Sequence, residues 1–336
     1  MKITAWPYCA NKRDNPYNAM IYKELIGLGA LVKEGKWYKP SIFVDVFHMH
    51  WPDAIFGSKK KWLIPTKFLI LFLVLSLMKL FGVKIIWTVH NVKPHSNSLH
   101  MFHKLVYKIL FTLADGLIFL NEGSRRDICE GYKLKLPSCV IKHPTYTKYY
   151  RDSIASFKKN DSKGLNFLVF GQIRLNKSIE KCVKIIKIPN VKLTIAGSVK
   201  DERAAKLITD EADKCNKDYV GKLDLRFCWQ KDDELLALIL NSDAVLLPYS
   251  EITNSGVIFL ALSLGKRVIA QDNEYFRLMA EDFKGGVELV DFDDLESLRL
   301  AIERLGEFKS DYVVGAEYQV EAVAREHVAF FNGLLV

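Results

Sequence analysis

Short apolar runs alternate with amphipathic segments along nearly the whole chain. Runs such as Leu165–Phe170 have the length and composition of buried strands. Segments such as Leu295–Arg304 repeat apolar residues at the spacing of a helix that buries one face. Strands that alternate with helices form parallel sheets covered by helices. The pattern therefore predicts an α/β protein with doubly wound parallel sheets.

The elements follow one another to the end of the chain. The predicted strands are Lys2–Ala5, Val44–His48, Val83–Val89, Gly116–Leu120, Cys139–Ile141, Leu165–Phe170, Val191–Ala196, Leu223–Phe227, Ala244–Leu247, Val268–Ala270 and Val287–Val290. The predicted helices are Ala19–Leu28, Leu99–Ala114, Ser178–Ile186, Glu202–Asn216, Lys231–Asn241, Gly256–Gly265, Leu295–Arg304 and Tyr318–Leu335.

One stretch interrupts the alternation. Tyr149–Lys163 is polar and lacks periodicity, so it predicts a linker between two βα arrays. With 336 residues the chain is long enough for two domains that each have a core. We expect one Rossmann-like domain over residues 1–148, a second over residues 164–316, and a terminal helix over residues 317–336.

Charge divides the chain into two unlike halves. Residues 1–150 contain 22 Lys+Arg and 9 Asp+Glu, whereas the remainder contains 26 and 30. The basic first half indicates an anionic partner surface, either a membrane or a nucleic acid. The six cysteines form no CxxC pair, and Met1–Trp6 does not resemble a secretory leader. We therefore expect a cytoplasmic protein.

The most apolar stretch is Lys59–Lys84. Its uncharged centre, Phe68–Met78, has 11 residues, too few for a bilayer span of about 20. It is either a buried core helix or a helix whose exposed part rests on an anionic membrane, anchored by Trp62 and lysines. Both can hold if one face packs inward. The cations accompany aliphatic residues and not stacking aromatics, so a membrane is favoured over nucleic acid.

Polar residues follow the predicted strands, where open parallel sheets bind ligands. Val44–His48 leads into His48–Asp53, which reads HMHWPD. The histidines at 48 and 50 could ligate a metal ion, but no third ligand follows at a recognisable spacing. We also expect the two rings to point to opposite sides of the strand. The sequence therefore predicts no metal site here.

Two stretches in the second half suit a phosphate group. Gly171 ends a strand and is followed by Arg174 and Lys177. The polar turn Ser250–Ser255 precedes an apolar helix that starts at Gly256. Helix N-terminal amides, glycine and cations together bind diphosphates. Surface cations and an ordinary helix cap are the alternatives for each stretch alone, but the pair favours a diphosphate site.

These motifs resemble, in order and spacing, the donor-binding half of GT-B glycosyltransferases of the bacterial polysaccharide type. The residues that carry the resemblance are Phe170–Lys177, Leu193–Gly197, Asp243–Gly256 and Gly265–Ala270. The first half is similar to the acceptor half of the same enzymes, through His48–Asp53 and Thr88–Asn91. The resemblance implies two Rossmann-like domains that face each other across a cleft. It also implies that the terminal helix crosses back to the first domain.

The resemblance further implies a nucleotide-sugar donor, linked to UDP or GDP, and no metal ion or cofactor. Arg174 and Lys177 would hold the diphosphate and stabilise the leaving nucleotide, and the loop near Trp229 would hold the base. The implied donor-binding residues are Gly171, Arg174, Lys177, Trp229, Tyr249, Thr253, Asn254, Ser255 and Gly256.

The implied catalytic residues are Asp53, His90 and Glu251. Asp53 would be the general base of an inverting reaction, with His50 and Glu122 as alternatives, and His90 would contact the donor sugar. On the acceptor side the implied residues are Asn15, Tyr17, His50, Trp51 and Asn91. Retaining GT-B relatives carry two glutamates around the loop that corresponds to Ser250–Ser255. Here Leu260 replaces the second, Glu251 matches the first only with a shifted register, and Gln172 replaces a common arginine, so the stereochemistry stays open.

The expected protein is a glycosyltransferase at the inner face of the cell membrane. It would transfer a sugar to a lipid-linked saccharide in the synthesis of a capsule or exopolysaccharide, and it would not bind nucleic acid. Two alternatives share the nucleotide-sugar chemistry. One is a GT-B type nucleotide-sugar epimerase, and the other is a non-catalytic sugar-nucleotide-binding partner protein.

Overall fold

A computed structural model describes residues 1–9, 16–56, 61–90, 100–158, 164–215, 220–252, 254–305 and 314–336, with the side chains of 53, 54, 61 and 100–106 excepted. The chain divides into two compact units. Unit 1 comprises Met1–Pro144 and Ala316–Val336, and unit 2 comprises Thr145–Gly315. Each unit is built around one six-stranded parallel sheet.

The sheet of unit 1 is covered by helices that leave its strands fully buried at the centre. Its strands are β1 (Lys2–Trp6), β2 (Leu31–Glu34), β3 (Val46–Met49), β4 (Lys84–Val89), β5 (Gly116–Phe119) and β6 (Ser138–Val140). Its first helices are α1 (Tyr17–Gly27), α2 (Asp53–Phe56), α3 (Ile64–Leu80), α4 (His100–Leu113) and α5 (Glu122–Gly131).

The strand order of unit 1 is β2-β1-β3-β4-β5-β6, so the direction of winding reverses between β1 and β3. At this point Trp6 pairs with Met49, and the next amide, that of His50, donates to the Trp6 carbonyl at 3.0 Å. Open α/β sheets bind ligands beside the strand ends at such a reversal. The fold therefore places His50 at the position where a ligand is expected.

Helix α3 is apolar on two faces. Leu71, Leu75 and Met78, spaced three or four residues apart, are buried against the sheet. Leu69 and Leu73 lie on the other side and are 55% and 56% exposed. The predicted core helix is therefore confirmed for one face only. Within the described ranges, no helix has both the length and the apolar content to cross a membrane.

Unit 2 repeats the architecture. Its strands are β7 (Leu165–Phe170), β8 (Val191–Ala196), β9 (Lys222–Arg226), β10 (Ala244–Leu247), β11 (Arg267–Gln271) and β12 (Val287–Val290). Its helices are α6 (Thr147–Ser156), α7 (Glu202–Cys215), α8 (Asp232–Asn241), α9 (Gly256–Ser263), α10 (Glu274–Asp282) and α11 (Leu295–Arg304). The strand order is β12-β11-β10-β7-β8-β9, which is the Rossmann order with its reversal between β7 and β10. The predicted fold class of two Rossmann-like domains is confirmed.

Two local predictions were wrong, and a strand and a helix were missed. Helix α6 occupies much of the stretch predicted as a linker, and none of its side chains is buried, so it carries no strong apolar period. Strand β2 was missed because LVKE is a half-polar edge strand. Helix α10 was missed, although Asn273 caps it by accepting from the Phe276 amide. The residues Ile179–Lys187 form a 3₁₀ helix, not an α-helix.

The last helix, α12 (Val320–Leu335), belongs to unit 1, where it packs against α1. It also lies against the start of β5, because a Cβ atom at Gly116 would come within 2.6 Å of Leu334. Its buried face includes His327 and Phe331, whose rings both approach His48. The end of the chain thus completes the core beside β3.

Candidate functional site

Two glycines form the strand ends at the reversal point of unit 2. Gly171 follows β7 with φ of +107°, a backbone conformation that glycine adopts readily. Gly197 follows β8, and a Cβ atom there would lie 1.7 Å from the Gly171 carbonyl oxygen. A side chain at position 197 therefore cannot fit. Glycine at position 197 therefore lets β7 and β8 end closer together than any other residue there would allow.

The Lys177 side chain also lies beside Gly171. A Cβ atom at Gly171 would lie 3.3 Å from Lys177 Nζ and 3.5 Å from Val257 Cγ2, in the first turn of α9. The predicted glycine, the predicted lysine and the start of the predicted helix therefore come together. A second link joins the two loops, because the Ser178 and Ser250 hydroxyl oxygens are 3.3 Å apart. Sequence reasoning missed this serine pair.

The Lys177 side chain is partly buried and has no carboxylate partner among the described residues. Its Nζ lies 4.9 Å from the centre of the Tyr249 ring, and no ion pair to a described residue forms there. Burial, and then the charge of Arg174, lower the pKa of Lys177 to about 8. A partly buried cation with no counter-charge among the described residues favours binding of an anion. Arg174 is half-buried, and its Nε donates to Gln172 at 2.9 Å.

The start of α9 is not capped in the usual way. Ser255 is the N-cap residue, yet its side chain accepts no hydrogen bond from the helix, and its amide donates to the Tyr275 hydroxyl at 3.2 Å. The first-turn amides of an α-helix have no partners within the helix. The Ser255 side chain therefore does not cap the helix. No bond from a described side chain to the amides that follow it is seen, and such amides suit an anion beside Lys177.

Tyr249 contributes its ring rather than its hydroxyl. The side chain is 2% exposed, and its hydroxyl has no hydrogen-bond partner among the described residues. Of the other residues predicted around the donor, Glu251 is exposed and Asn254 is half-buried in the loop that ends at Gly256. Trp229 is 42% exposed after β9, and Thr253 lies outside the described residues.

The reversal point of unit 1 is lined by histidines. His50 Nδ1 lies 3.0 Å from His90 Nε2, and His50 Nε2 lies 2.7 Å from the Tyr22 hydroxyl. The same hydroxyl lies 2.7 Å from His48 Nδ1, and His48 Nε2 lies 2.7 Å from Thr88 Oγ1. Four hydrogen bonds therefore join five buried side chains from α1, from β3 and β4, and from the residues that directly follow these two strands.

The expectation that His48 and His50 point to opposite sides was wrong. Their ring centres are 4.3 Å apart. Side chains two residues apart on an extended chain share a face, so the spacing itself should have predicted this contact. Their nitrogens bond to neighbouring side chains, and no group of three His, Cys, Asp or Glu side chains suited to a metal ion occurs among the described residues.

Aromatic rings enclose His90. Trp51 stacks on it with ring centres 4.2 Å apart, and Tyr17 meets it edge-on at 5.2 Å. Tyr17 also contacts His143 at 4.8 Å. Three residues predicted for this half, His50, Trp51 and Tyr17, thus lie together around His90. Sequence reasoning missed Tyr22, His48, Thr88 and His143 as members of this cluster.

Burial keeps these histidines neutral. It lowers the pKa of His90 to about 3 and that of His143 to about 4, and it lowers the pKa values of His48 and His50 well below their ordinary value. Neutral imidazoles both donate and accept hydrogen bonds, as sugar hydroxyls require. The Asp53 side chain, Asn15 and Asn91 lie outside the described residues, so their predicted roles stay predictions.

Two Rossmann-like domains in one chain are the architecture of the GT-B fold of glycosyltransferases. The UDP-forming α,α-trehalose-phosphate synthase of Burkholderia xenovorans aligns with a TM-score of 0.63 at 13% identity, covering 87% of this chain and 75% of its own. The sucrose-phosphate synthase of Thermosynechococcus elongatus aligns with a TM-score of 0.62 at 15% identity, covering 99% and 96%. At these identities the likeness establishes the fold alone.

Two curated proteins are related in sequence. Both are described as GDP-mannose:glycolipid 4-beta-D-mannosyltransferases of Xanthomonas campestris pv. campestris, and both are 24% identical to this chain over 250 residues. The match covers 72% of this chain and 65% of the length of each relative. No protein-family model matches the chain.

Proposed function

We propose that the protein is a glycosyltransferase that moves a sugar from a nucleoside diphosphate sugar to a lipid-linked saccharide. The observation that carries the proposal is the partly buried Lys177 ammonium group, which lies beside Gly171 and the start of α9, where Ser255 makes no side-chain cap. A diphosphate would supply the missing counter-charge. Its oxygens would accept hydrogen bonds from the helix amides, and glycine lets them approach the backbone.

The same groups have a catalytic role in this proposal. Negative charge develops on the diphosphate as the bond to the sugar breaks. Lys177 and Arg174 stabilise that charge, which is the largest contribution an enzyme makes to such a step. Because two cations already face the leaving group, we expect transfer to proceed without a metal ion. Activity that survives EDTA would agree with this, and loss of activity that Mg²⁺ restores would contradict it.

The neutral rings of unit 1 suit the sugar side of the reaction. We propose that His90 contacts sugar hydroxyls and that Asp53 is the general base if the reaction inverts. The related mannosyltransferases support a GDP-linked donor and a glycolipid acceptor, and their name specifies a beta linkage. GDP-mannose is therefore the first donor to test. The anomeric configuration of the product, read by NMR, separates inversion from retention.

A membrane-bound acceptor accounts for the exposed face of α3. Leu69, Leu73 and Leu80 are 55%, 56% and 82% exposed, and Trp62 just before the helix is 74% exposed. The basic excess of residues 1–150 complements an anionic surface. We propose that this face rests on the inner face of the cell membrane, where surface polysaccharides such as a capsule or exopolysaccharide are assembled on lipid carriers.

Vesicle binding tests the docking face. Phosphatidylglycerol vesicles should bind the protein, salt should weaken the binding, and Leu73→Glu should reduce it strongly. The matched control is Leu300→Glu, because Leu300 is 45% exposed on α11 of unit 2. Equal binding by both variants, or binding that salt does not change, would contradict the assignment.

The donor site is tested by thermal stability with UDP, GDP, ADP, CMP and dTDP at one excess. A ligand at 100 times its dissociation constant adds about 2.7 kcal/mol to the folded state. We expect one nucleoside diphosphate to produce this shift, Lys177→Met to abolish it, and Lys181→Ala to keep it. Lys181 is a neighbouring lysine that is already paired with Asp293. No shift with any nucleotide would overturn the donor site, and a shift without transfer would favour a partner protein.

A further inference from the structure

The hydrogen bonds around Tyr22 join five side chains into one chain, here called the relay. It runs from Thr88 to His48, Tyr22, His50 and His90. Its four donor–acceptor distances are 2.7, 2.7, 2.7 and 3.0 Å. All five side chains are at most 9% exposed. Each bond therefore stands in place of a bond to water, and each needs one hydrogen atom.

The number of hydrogens in the relay is fixed. Burial lowers the pKa values of the three histidines and raises that of Tyr22, so every member is neutral. A neutral histidine carries a hydrogen on one ring nitrogen only, and the tyrosine hydroxyl has one hydrogen to donate. Tyr22 therefore donates to one histidine and accepts from the other.

Only two arrangements satisfy all four bonds. If Tyr22 donates to His48 Nδ1, then His50 Nε2 donates to Tyr22, and His90 Nε2 donates to His50. If Tyr22 donates to His50 Nε2, then His50 Nδ1 donates to His90, and His48 Nδ1 donates to Tyr22. In the first arrangement all three histidines are protonated at Nε2, and in the second all three are protonated at Nδ1.

We propose that Tyr22 and His48 are positioning residues that act on His90 through this relay. They couple the tautomer of His90 to those of the other two histidines, so that His90 Nδ1 gains or loses its hydrogen only together with theirs. A lone pair accepts a bond from a hydroxyl group, whereas N–H donates to a sugar oxygen. The ligand, a sugar, rests on the proposed function; the relay itself does not.

The relay and two aromatic rings also hold the orientation of the His90 ring. Trp51 covers one ring face at 4.2 Å, Tyr17 meets the ring edge-on, and His50 holds Nε2. The ring can therefore not turn over to exchange its nitrogens without breaking the relay. In the proposed function a sugar oxygen therefore meets a ring of fixed position, whose tautomer changes only together with those of His48 and His50.

The first test uses no ligand. In protein labelled with ¹⁵N-histidine, a bare ring nitrogen and a protonated one give well-separated ¹⁵N shifts. Substitution of the five other histidines by glutamine, one at a time, identifies their signals and leaves the three of the relay; those five are His95, His100, His103, His143 and His327. We expect the three relay histidines to show one shared tautomer. Mixed tautomers, or a doubly protonated ring at neutral pH, would overturn the relay.

The second test removes the central hydroxyl. Tyr22→Phe should uncouple the tautomer of His48 from those of His50 and His90, and it should lower kcat for transfer from GDP-mannose, or from UDP-glucose if UDP gives the thermal shift, by about tenfold. Tyr107→Phe, in an equally buried tyrosine of unit 1, should change neither. Full transfer by Tyr22→Phe would overturn the positioning role. A wild-type protein without transferase activity would overturn the proposed function, while the ¹⁵N spectra would still decide the relay.

Discussion

The strand ends at the two reversal points of this protein are lined by opposite kinds of chemical group. Both lie where the strand order reverses, at β1 and β3 in unit 1 and at β7 and β10 in unit 2. All eight histidines of the chain fall in the segments that form unit 1, and unit 2 contains none. Unit 1 lines its edge with neutral rings. Unit 2 lines its edge with glycine backbone and cations.

The difference lies in what each edge leaves unsatisfied. The relay of unit 1 bonds its polar atoms to one another, so it is rigid before any ligand arrives. In unit 2 the partly buried Lys177 ammonium lies over a tyrosine ring with no carboxylate partner among the described residues, and the Ser255 side chain does not cap α9. That edge is under-stabilised in the free protein. A ligand should therefore stabilise unit 2 more than unit 1.

Acid should destabilise unit 1 more than unit 2, and this is the largest difference between the units that we expect. The folded pKa values are about 3 for His90 and about 4 for His143 and His327, against 6.5 for an ordinary histidine. Below pH 6.5 the unfolded chain binds more protons than the folded one. Stability is therefore fully present above that pH and falls by about 1.4 kcal/mol per pH unit for each histidine as the pH drops toward 4.

We expect unit 1 to unfold in acid before unit 2, as hydrogen exchange resolved by peptide would show. His327→Leu is the matched variant. His327 Nδ1 donates only to the Val323 carbonyl of its own helix, and its Nε2 has no partner among the described residues. The variant should make the pH slope shallower by about 1.4 kcal/mol per unit. Simultaneous loss of both units, with an unchanged slope, would contradict the assignment of acid sensitivity to the histidines.

One added methyl group at Gly197 should destabilise unit 2, as acid should destabilise unit 1. In Gly197→Ala the added carbon would lie 1.7 Å from the Gly171 carbonyl oxygen, so β7 and β8 must move apart. We expect a loss of at least about 4 kcal/mol in the unfolding free energy. Gly333→Ala, where no atom lies within 4 Å, should instead stabilise α12 by about 0.5–1 kcal/mol. Denaturant titration measures both, and equal effects would refute the tight glycine contact.

Removal of the Lys177 charge should lower activity without lowering stability. Loss of one group that stabilises the leaving charge costs about 2.7–4 kcal/mol in the barrier, or roughly 10²–10³ in kcat. Lys177→Met keeps the stem length and removes a partly buried charge that has no ion pair among the described residues, so the variant should be at least as stable as the wild type. Lys181→Ala should leave kcat unchanged. A destabilised Lys177→Met with full activity would reverse the assignment of Lys177 from ligand binding to structure.

Local chemistry made the edge of unit 2 predictable. Gly171 and Lys177 follow an apolar run within seven positions, and Ser255 directly precedes an apolar helix. Such signals are contained in one stretch of chain. The Tyr249 ring beneath Lys177 was predicted as a donor contact, but its supporting role depends on how two loops pack, and the sequence does not contain that information.

The edge of unit 1 was predicted only in part, for a related reason. His50, His90 and Trp51 stand beside strand ends and were recognised there. Tyr22 comes from a helix and Thr88 from the neighbouring strand, and which strands become neighbours is decided by the tertiary fold. The error over His48 was of another kind. Its two-residue spacing from His50 already implied a shared face.

The smallest effect that we expect distinguishes two buried tyrosines, one in each unit. Tyr22 and Tyr249 are both at most 2% exposed, but the Tyr22 hydroxyl serves two histidines, whereas the Tyr249 hydroxyl has no partner among the described residues. The same deletion should therefore have different costs. Tyr22→Phe leaves two buried nitrogens unpaired and should cost about 1–3 kcal/mol.

Tyr249→Phe removes a hydroxyl that gains nothing from burial, so it should change stability by no more than about 0.5 kcal/mol, or raise it slightly. Its ring, 4.9 Å from the Lys177 ammonium, stays in place, so the thermal shift with nucleotide should persist. Tyr249→Leu removes that ring and should weaken the shift. If Tyr249→Phe were as costly as Tyr22→Phe, its hydroxyl would have a partner in the folded protein, and unit 2 would be better satisfied than its lysine suggests.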